Sequence, residues 1–432
     1  MGTHRHSYLQ QRKTHVLLTI YTVASLILVR SEKAYPLGCS QQNPSYYDFE
    51  HAKFPPPNLS VFTPESFQIT RRLGTEKFSD VFEALYVGSK PLVTRHAEIV
   101  NTHRDQSPEL VVLKVLKPVS PRKIRRELLV LQHASKIPSL VRILGIVIPP
   151  EPSSDQVTLP RMPSIVLEHA GPYCQWFCHG KTNSNVANQS EMSPFLSDYE
   201  IRYYLYHLLL ALDKLHAQGM MHRDVKPRNV LINRAHRKVR HPPLTLIDLG
   251  LADFYVPQNA YNVRVASRHY KSPELLVGFE SYDYALDIWG VGCILAGLLC
   301  RREPFFRGKD NIDQLGRIIS ALGTNDLLVY LQKYNIPHTE SLQDLLAKYQ
   351  PHHQVRQPWL RWMAEGVQRP SRDGLDLLDR LLVYDHEKRL TARQAMQHPF
   401  FDVVKERVQA EVRTHQYEMN ASGEAASIQH HP

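Results

Sequence analysis

A short segment of the chain carries a carboxylate, a positive charge and an amide at a spacing that suits the transfer of a phosphoryl group. The sequence reads His222-Arg223-Asp224, and Lys226 and Asn229 follow it. A carboxylate at Asp224 can orient a substrate hydroxyl, and the amide oxygen of Asn229 can hold a metal ion. Lys226 can neutralise charge on the transferred group. We therefore predict that Arg223, Asp224 and Lys226 are catalytic and that Asn229 is a metal ligand.

A second acidic residue, Asp248, follows the apolar pair Leu246-Ile247 and precedes Leu249-Gly250. An apolar strand would deliver the acid to the site, and the glycine would let the chain turn. Asp248 is predicted to hold the metal ions that bridge the phosphates of a nucleotide. The two segments together match the catalytic signature of protein kinases, H-R-D-x-x-x-x-N followed by D-F-G, with Leu249 in place of phenylalanine. That substitution changes a packing residue and leaves the ligand in place.

Two pairs of opposite charges are predicted from the same signature. Lys114 ends the run Val-Val-Leu-Lys, which resembles the V-A-I-K strand, and Glu127 follows on a predicted helix. Either residue alone would more often be a solvated surface charge, but their order and spacing favour a pair that positions phosphates. Glu274 ends the activation segment as Ser-Pro-Glu in place of A-P-E, and Arg389 is its predicted buried partner.

The glycine-rich loop that covers the phosphates in kinases is the weakest part of the match. The pattern G-x-G-x-x-G-x-V should span residues 74–81, but Gly74 alone remains of its three glycines. Glu76 places a side chain and a negative charge where backbone should approach phosphate. Either this side chain points to solvent, or the nucleotide binds more weakly than in a glycine version. The second hypothesis predicts that Glu76→Gly lowers the Michaelis constant for ATP.

The elements around these residues indicate an α+β protein with the bilobal kinase fold, a small β-rich N-lobe and a larger, mainly helical C-lobe. A helix is predicted over residues 121–132, and a second begins at Ser197 with a capping box to Glu200 and ends at Gly219. Alternating or β-rich runs predict strands over residues 67–70, 81–87, 110–116, 141–148 and 164–168.

The predicted organisation also includes segments outside the two lobes. The leader has a basic head and an apolar run over residues 16–29, which is short for a membrane span. It fits a signal or anchor, a transit-like leader, or sequence upstream of a later start. The segments are a leader over 1–42, an N-terminal segment packed on the core over 43–66, the N-lobe over 67–170, the C-lobe over 171–401 with an insertion over 180–193, and a polar tail over 402–432.

Composition and cysteine content restrict the possible functions less than the motifs do. The formal net charge of +10 would attract acidic partners, but no nucleic-acid-binding signature accompanies it, and no nucleic acid is expected. Five cysteines argue against a secreted disulfide scaffold and favour the cytoplasm or nucleus. Secretory or organellar targeting by residues 1–42 is the alternative, and membrane contact is expected only if the apolar run is retained. Cys174, Cys178 and His179 suit isolated thiols better than a zinc site.

Several stretches go beyond the general kinase signature and resemble one family. The chain closely resembles the catalytic (alpha) subunits of casein kinase II over about residues 45–405. The resemblance is carried by Tyr46-Tyr47-Asp48-Phe49-Glu50, Lys117-Pro118-Val119, Met221-His222-Arg223-Asp224-Val225-Lys226-Pro227, Tyr261-Asn262-Val263-Arg264-Val265-Ala266-Ser267-Arg268, Pro304-Phe305-Phe306-Arg307-Gly308 and Tyr384-Asp385-His386.

The resemblance implies a non-specific serine/threonine kinase that is intrinsically active and prefers acidic protein substrates. It implies Mg²⁺ as cofactor, ATP or also GTP as phosphoryl donor, and a regulatory (beta) subunit that docks on the small lobe. It further implies that residues 46–50 pack against the activation segment, and no T-x-Y phosphorylation pair lies between Asp248 and Glu274. The nucleotide would contact Leu73, Gly74, Ser79, Val81, Lys114, Glu127, Glu168, Ala170, Leu231 and Ile247.

The same resemblance assigns a set of cations to acidic substrates, and arginine suits the geometry of carboxylates and phosphates. The alternative for residues 122–126 is an ordinary solvated helix face. Ser120 and Pro121 interrupt the lysine run of the family, which predicts a weaker acid preference. The assigned residues are Lys77, Arg122, Lys123, Arg125, Arg126, Arg264, Arg268 and Lys271.

Two departures from the family bear on the site, and two other functions compete with the one that the family implies. Leu249 stands where the family has tryptophan, and Leu167 replaces a phenylalanine beside the hinge and so alters the nucleotide pocket. A proline-directed kinase is one rival, but Lys271 before Ser272 and the missing T-x-Y pair speak against it. A non-catalytic scaffold is the other, and the degraded glycine loop is its only support.

Overall fold

The structure is a computed structural model that describes residues 59–89, 92, 94, 109–149, 162–171, 173, 176, 195–234, 242–350 and 352–414. Several predictions from the sequence fall outside these residues. They are the leader over 1–42, the segment over 46–50, the insertion over 180–193, and the thiols and imidazole of Cys174, Cys178 and His179. Among the described residues, no helix is both long enough and apolar enough to cross a bilayer.

Six strands form the sheet of the N-terminal region, in the spatial order β1-β5-β6-β4-β3-β2. β1 runs parallel to β5, and the other neighbours are antiparallel. Because side chains alternate along a strand, Val111 and Leu113 face one core while Lys114 lies on the opposite face. The strands are β1 (Ser60–Phe62), β2 (Phe67–Thr75), β3 (Ser79–Tyr86), β4 (Glu109–Leu116), β5 (Ile143–Val147) and β6 (Ser164–Glu168).

Helix α1 (Pro121–Ala134) packs against the sheet on the face that carries Lys114. Pro121 occupies the first turn, where a missing N–H removes no helical hydrogen bond. Leu128 and Leu131 are buried in the same core as Ile165 of β6. Glu127 lies on this buried side of the helix, so the packing brings its carboxylate to the sheet.

The C-terminal region is mainly helical, and its longest helix is α2 (Asp198–Ala217). The predicted capping box is confirmed, because Ser197 Oγ accepts from the backbone N–H of Glu200 and the Glu200 carboxylate accepts from the N–H of Ser197. Gly219 follows the helix with φ of 76°, a left-handed conformation that favours glycine. The remaining helices are α3 (Pro273–Leu276), α4 (Ala285–Cys300), α5 (Asn311–Leu322), α6 (Asn325–Lys333), α7 (Glu340–Tyr349), α8 (Arg372–Leu381), α9 (Ala392–Met396) and α10 (402–414).

Two small antiparallel pairs of strands hold the segments that carry the catalytic motifs. β7 (Met220–Met221) pairs with β10 (Asp253–Phe254), and β8 (Val230–Ile232) pairs with β9 (Leu244–Leu246). All of β7, β8 and β9 is buried. The motif with Asp224 therefore lies between β7 and β8, and Asp248 lies between β9 and β10.

The predicted polar tail over 402–432 needs a correction at its start. Residues 402–414 form helix α10, and Val404 and Val408 are completely buried in the main core. Val412 packs partly buried beside them. Apolar residues at i, i+4 and i+8 give this polar segment one buried face, which fixes it to the C-terminal region.

Candidate active site

Lys114 is the centre of the charged cluster between the sheet and the helical region. Its Nζ lies 2.7 Å from Glu127 Oε1 and 3.1 Å from Asp248 Oδ1. Burial alone would lower the pKa of Lys114, but the two carboxylates outweigh this effect and raise it. The predicted Lys114–Glu127 pair is therefore present, and Lys114 is a fixed cation at all ordinary pH values.

Asp248 sits in a strained turn that the flanking sequence makes feasible. Its φ is 63°, in the left-handed region that aspartate tolerates better than most residues. A Cβ on Gly250 would lie 3.2 Å from Asp248 Oδ1 and 3.3 Å from Lys114 Nζ, so glycine lets the turn pass close to the cluster. Burial acts to raise the pKa of Asp248, but Lys114 lowers it overall and keeps the group ionised.

The catalytic loop is held by a buried carboxylate on helix α4. Asp287 Oδ2 accepts from the backbone N–H of His222 at 2.8 Å and lies 2.9 Å from His216 Nε2, while Oδ1 accepts from the N–H of Arg223 at 2.8 Å. Arg223 has φ of 65°, and these bonds hold it in that conformation. Asp287 therefore positions the catalytic loop.

Asp224 is buried at the point where the catalytic loop meets the activation segment. Lys226 Nζ donates to Asp224 Oδ2 at 2.6 Å and to Ser267 Oγ at 2.9 Å. The backbone N–H of Ser267 donates to Asp224 Oδ1 at 2.8 Å. The carboxylate is thereby fixed in orientation, and the positive charge of Lys226 is held beside it. The motif did not single out Ser267, whose role depends on a contact between residues 43 positions apart.

Asn229 and Asp248 supply the oxygen atoms that a magnesium site needs. Asn229 Nδ2 donates to the backbone carbonyl of Asp224 at 2.9 Å, which leaves Oδ1 as the atom that faces a cation. Within the described part of the chain, no group of three His, Cys, Asp or Glu side chains is placed to hold a metal. Mg²⁺ suits such a site, because it is commonly held by one or two protein oxygens with water and phosphate oxygens completing the shell. The residues fit magnesium carried by a nucleotide.

Asp253 links the helix of the N-lobe to the catalytic loop, and sequence reasoning missed it. Its Oδ2 accepts from Arg126 Nη1 at 3.1 Å and from Arg223 Nη2 at 2.8 Å. Arg223 Nε also donates to the carbonyl of Leu251 at 2.6 Å. The position of Asp253 five residues after Asp248 is the one signal in the sequence, and an acidic residue there is compatible with many other roles. The contact gives Arg223 a positioning role toward the activation segment.

The residues predicted for the nucleotide lie on both sides of the same cluster. Leu73, Gly74 and Val81 belong to β2 and β3 and are half-buried, and a Cβ at Gly74 would meet nothing within 4 Å. Ser79 is fully buried. On the other side lie Leu231 of β8 and Ile247, and the N–H of Ile247 donates to the carbonyl of Asn229 at 2.8 Å. Glu168 and Ala170 lie at the end of β6, where the N–H of Glu168 donates to the carbonyl of Arg142.

The predicted substrate cations differ in exposure. Lys271 is buried, and its ammonium donates to the carbonyls of Val263 at 3.3 Å and Val265 at 2.5 Å. In this position it holds the activation segment and does not face solvent, and burial lowers its pKa. Arg125 and Arg126 are half-buried. The exposed members are Lys77, Arg122, Lys123, Arg264 and Arg268.

Together these features define a phosphotransferase whose site lies between a small sheet and a larger helical region. The family model described as the protein kinase domain matches residues 67–401, well over half of the chain. The chain therefore belongs to the protein kinase family, and the bilobal α+β fold expected from the sequence is confirmed. Members of this family use ATP with magnesium and act on protein hydroxyls.

Proposed function

We propose that the chain is a serine/threonine protein kinase of the casein kinase II catalytic type. It transfers the γ-phosphoryl group of ATP, or of GTP, to hydroxyls in acidic sequence contexts, and it is active without phosphorylation of its activation segment. The observation that carries this proposal is the placement of Asp253 between Arg126 and Arg223.

Asp253 bears on what holds the activation segment in place. In kinases that are switched on by phosphorylation, the added phosphate orders this segment by pairing with arginines. Here the carboxylate of Asp253 already bridges an arginine of helix α1 and the arginine of the catalytic loop. The Lys114–Glu127 pair, which an active kinase requires, is formed at the same time. Both features support activity without a modification.

The roles of the residues follow from the geometry of the cluster. Asp224 orients the substrate hydroxyl. Lys226, whose Nζ lies 2.6 Å from Asp224 Oδ2, neutralises charge on the transferred group. Lys114 positions the phosphates, and Asn229 and Asp248 would hold Mg²⁺, which would supply positive charge against the phosphates. Catalysis then depends mostly on positioning and on charge stabilisation by groups that are already in place.

Acid preference is supported by the exposed cations on the two sides of the site. Arg268 Nη1 donates to the backbone carbonyl of Lys309 at 2.5 Å, which fixes the guanidinium on the surface. At the tip of the β2–β3 turn, the ammonium groups of Lys77 and Lys123 lie 5.1 Å and 4.5 Å from the ring centre of Phe78. Exposed cations of this kind support an acid preference, because they attract the carboxylates of a peptide.

A regulatory (beta) subunit is part of the proposal because the sheet exposes large apolar side chains. Ile69 on β2 is 56% exposed and Leu110 on β4 is 43% exposed. Exposed apolar surface of this kind favours a protein partner over solvent.

The proposal is tested by following phosphate transfer from labelled ATP, with magnesium, to two serine peptides. One peptide has Asp and Glu after the serine, and the other has Pro. We expect transfer to the acidic peptide, and loss of that transfer in an Asp224→Ala protein. Transfer to the proline peptide alone would indicate a proline-directed kinase, and no transfer from folded protein would indicate a non-catalytic scaffold.

A further inference from the structure

Glu76 lies at the β2–β3 turn, and the backbone of this turn is tied down on two sides. The N–H of Glu76 donates to the carbonyl of Ser79 at 2.8 Å, which closes the turn. The carbonyl of Glu76 accepts from Lys117 Nζ at 2.7 Å. The main chain that carries the Glu76 side chain is therefore held at both of its polar atoms.

The carboxylate of Glu76 folds back onto the face of β3 that carries Ser79 and Val81, and Val81 pairs with Lys114 across the β3–β4 ladder. Glu76 Oε2 accepts from Ser79 Oγ at 3.2 Å, and Ser79 has no exposed surface. The charged groups that act on this carboxylate are Asp248, Lys114 and Lys226. The residue as a whole is exposed because it stands at the mouth of the cleft. The contact with Ser79 supports the second alternative that the sequence left open, weaker binding of the nucleotide.

The charges around Glu76 disfavour the binding of phosphate groups. The two ammonium groups of the region are already shared among carboxylates, since Lys114 contacts Glu127 and Asp248 and Lys226 contacts Asp224. Partial burial, and then the charge of Asp248, raise the pKa of Glu76, whereas the two lysines act in the opposite direction. Four carboxylates thus share two ammonium groups in the region where phosphates have to bind. The carboxylates are those of Glu76, Glu127, Asp224 and Asp248.

We propose that Glu76 competes with nucleotide phosphates for Lys114 and Lys226, and so makes the affinity of the site depend on the number of phosphates in the ligand. The inference rests on the proposed nucleotide-dependent function and adds a specificity-determining residue to it. A carboxylate in this place opposes each added phosphate charge, while it leaves an uncharged nucleoside almost unaffected. We expect this loss of affinity to shrink when Mg²⁺ neutralises the phosphates.

The test measures binding of adenosine, ADP and ATP by calorimetry, with no peptide present, to the full chain and to its Glu76→Gln variant. Glutamine keeps the size of the side chain and removes its charge. Without Mg²⁺ we expect ATP to bind roughly tenfold more tightly to the variant, ADP about threefold and adenosine within about twofold. With Mg²⁺ in excess the gain for ATP should fall to about threefold.

Two further proteins separate charge from shape. Glu76→Gly removes both the charge and the side chain, and should also favour ATP over adenosine. Asp80→Asn is the matched control, because Asp80 lies four residues away and its carboxylate contacts Arg72 at 2.6 Å and Lys117 at 3.4 Å, away from Lys114. Its effect on ATP affinity should stay within about twofold.

Several results would overturn the inference. They are an equal gain for adenosine and ATP in Glu76→Gln, no gain at all, weaker ATP binding, and an equal gain in Asp80→Asn. If ATP binds to the unchanged chain and only the dependence on Glu76 is missing, this inference fails and the proposed function stands. If none of the proteins binds ATP with Mg²⁺, both fail.

Discussion

Glu274 and Arg389 form an ion pair in which neither side chain has any exposed surface. Arg389 Nη1 donates to Glu274 Oε1 at 3.0 Å and Nη2 donates to Oε2 at 3.1 Å, so the contact is bidentate. The guanidinium also donates to the carbonyls of Ala285 and Val383. The pair joins the end of the activation segment to the core of the C-terminal region, and all of its charge is compensated.

We expect Arg389→Met to lower the free energy of unfolding by about 3–5 kcal/mol, because it leaves Glu274 buried and without its cation. Urea unfolding followed by circular dichroism measures the loss. The matched control is Arg380→Met, whose partner Asp376 and own side chain are both about half exposed and which should cost less than about 0.5 kcal/mol. Equal losses in the two variants would contradict a special role for the buried pair.

Asp253→Asn should lower kcat/KM on an acidic peptide by roughly tenfold or more, because Arg126 and Arg223 lose the charge that joins them. Asp253→Glu keeps the charge and should retain most of the activity. Asp402→Asn, an exposed acid on helix α10, serves as the control with unchanged activity. Full activity of Asp253→Asn would show that the bridge does not hold the active arrangement.

Replacing Arg264 and Arg268 together with alanine should lower kcat/KM by roughly tenfold on an acidic peptide and by less than about twofold on a neutral one. The reason is that both arginines are exposed and lie within three residues of Ser267, whose N–H donates to Asp224 Oδ1 at 2.8 Å. Arg369→Ala removes an exposed arginine elsewhere and should change neither rate. Equal losses of kcat/KM on the two peptides would contradict the assignment of these arginines to the acidic residues of substrates.

The ion pair between Arg71 of β2 and Glu83 of β3 should contribute to stability in a pH-dependent way. Hydrogen bonds from Arg71 lower the pKa of Glu83 from its usual 4.5 to about 2. Because the folded-state pKa is depressed, this stabilisation is complete above pH 4.5 and is lost as the pH falls toward 2. Since half of the Arg71 side chain is exposed, we expect Glu83→Gln to cost about 1–2 kcal/mol at pH 7.

Unfolding of the original chain and of Glu83→Gln in urea, at pH 7 and at pH 3, provides the measurement. The difference in the free energy of unfolding between the two proteins should be smaller at pH 3 than at pH 7. A difference that stays constant between these pH values would show that the ionisation of Glu83 does not account for the stability it contributes.

The parts of the site that the sequence predicts well are those whose spacing is fixed by local structure. Lys114 and Glu127 are close in the chain, and the strand and helix that carry them have clear patterns, so their pairing follows. Ser197 and Glu200 lie within one helical turn and are equally predictable. The pairing of Glu274 with Arg389 was expected from the kinase signature, although 115 positions separate the two residues.

The features that the sequence does not reveal depend on distant segments that no motif connects. Arg126 and Asp253 are 127 positions apart, and their contact exists only once the helix of the N-lobe packs on the activation segment. The burial of Lys271 likewise depends on how the segment folds back on its own carbonyls. Helix α10 was missed because its few apolar residues are diluted by polar ones, and only their spacing marks the buried face.

Asp253 is encoded by the gene, so the negative charge that it gives the activation segment is permanent. A phosphatase has nothing to remove at this position, and an upstream enzyme has nothing to add. Under the proposed function, control of this protein's output would fall to its synthesis, its turnover, its location, its regulatory partner or the supply of its substrates.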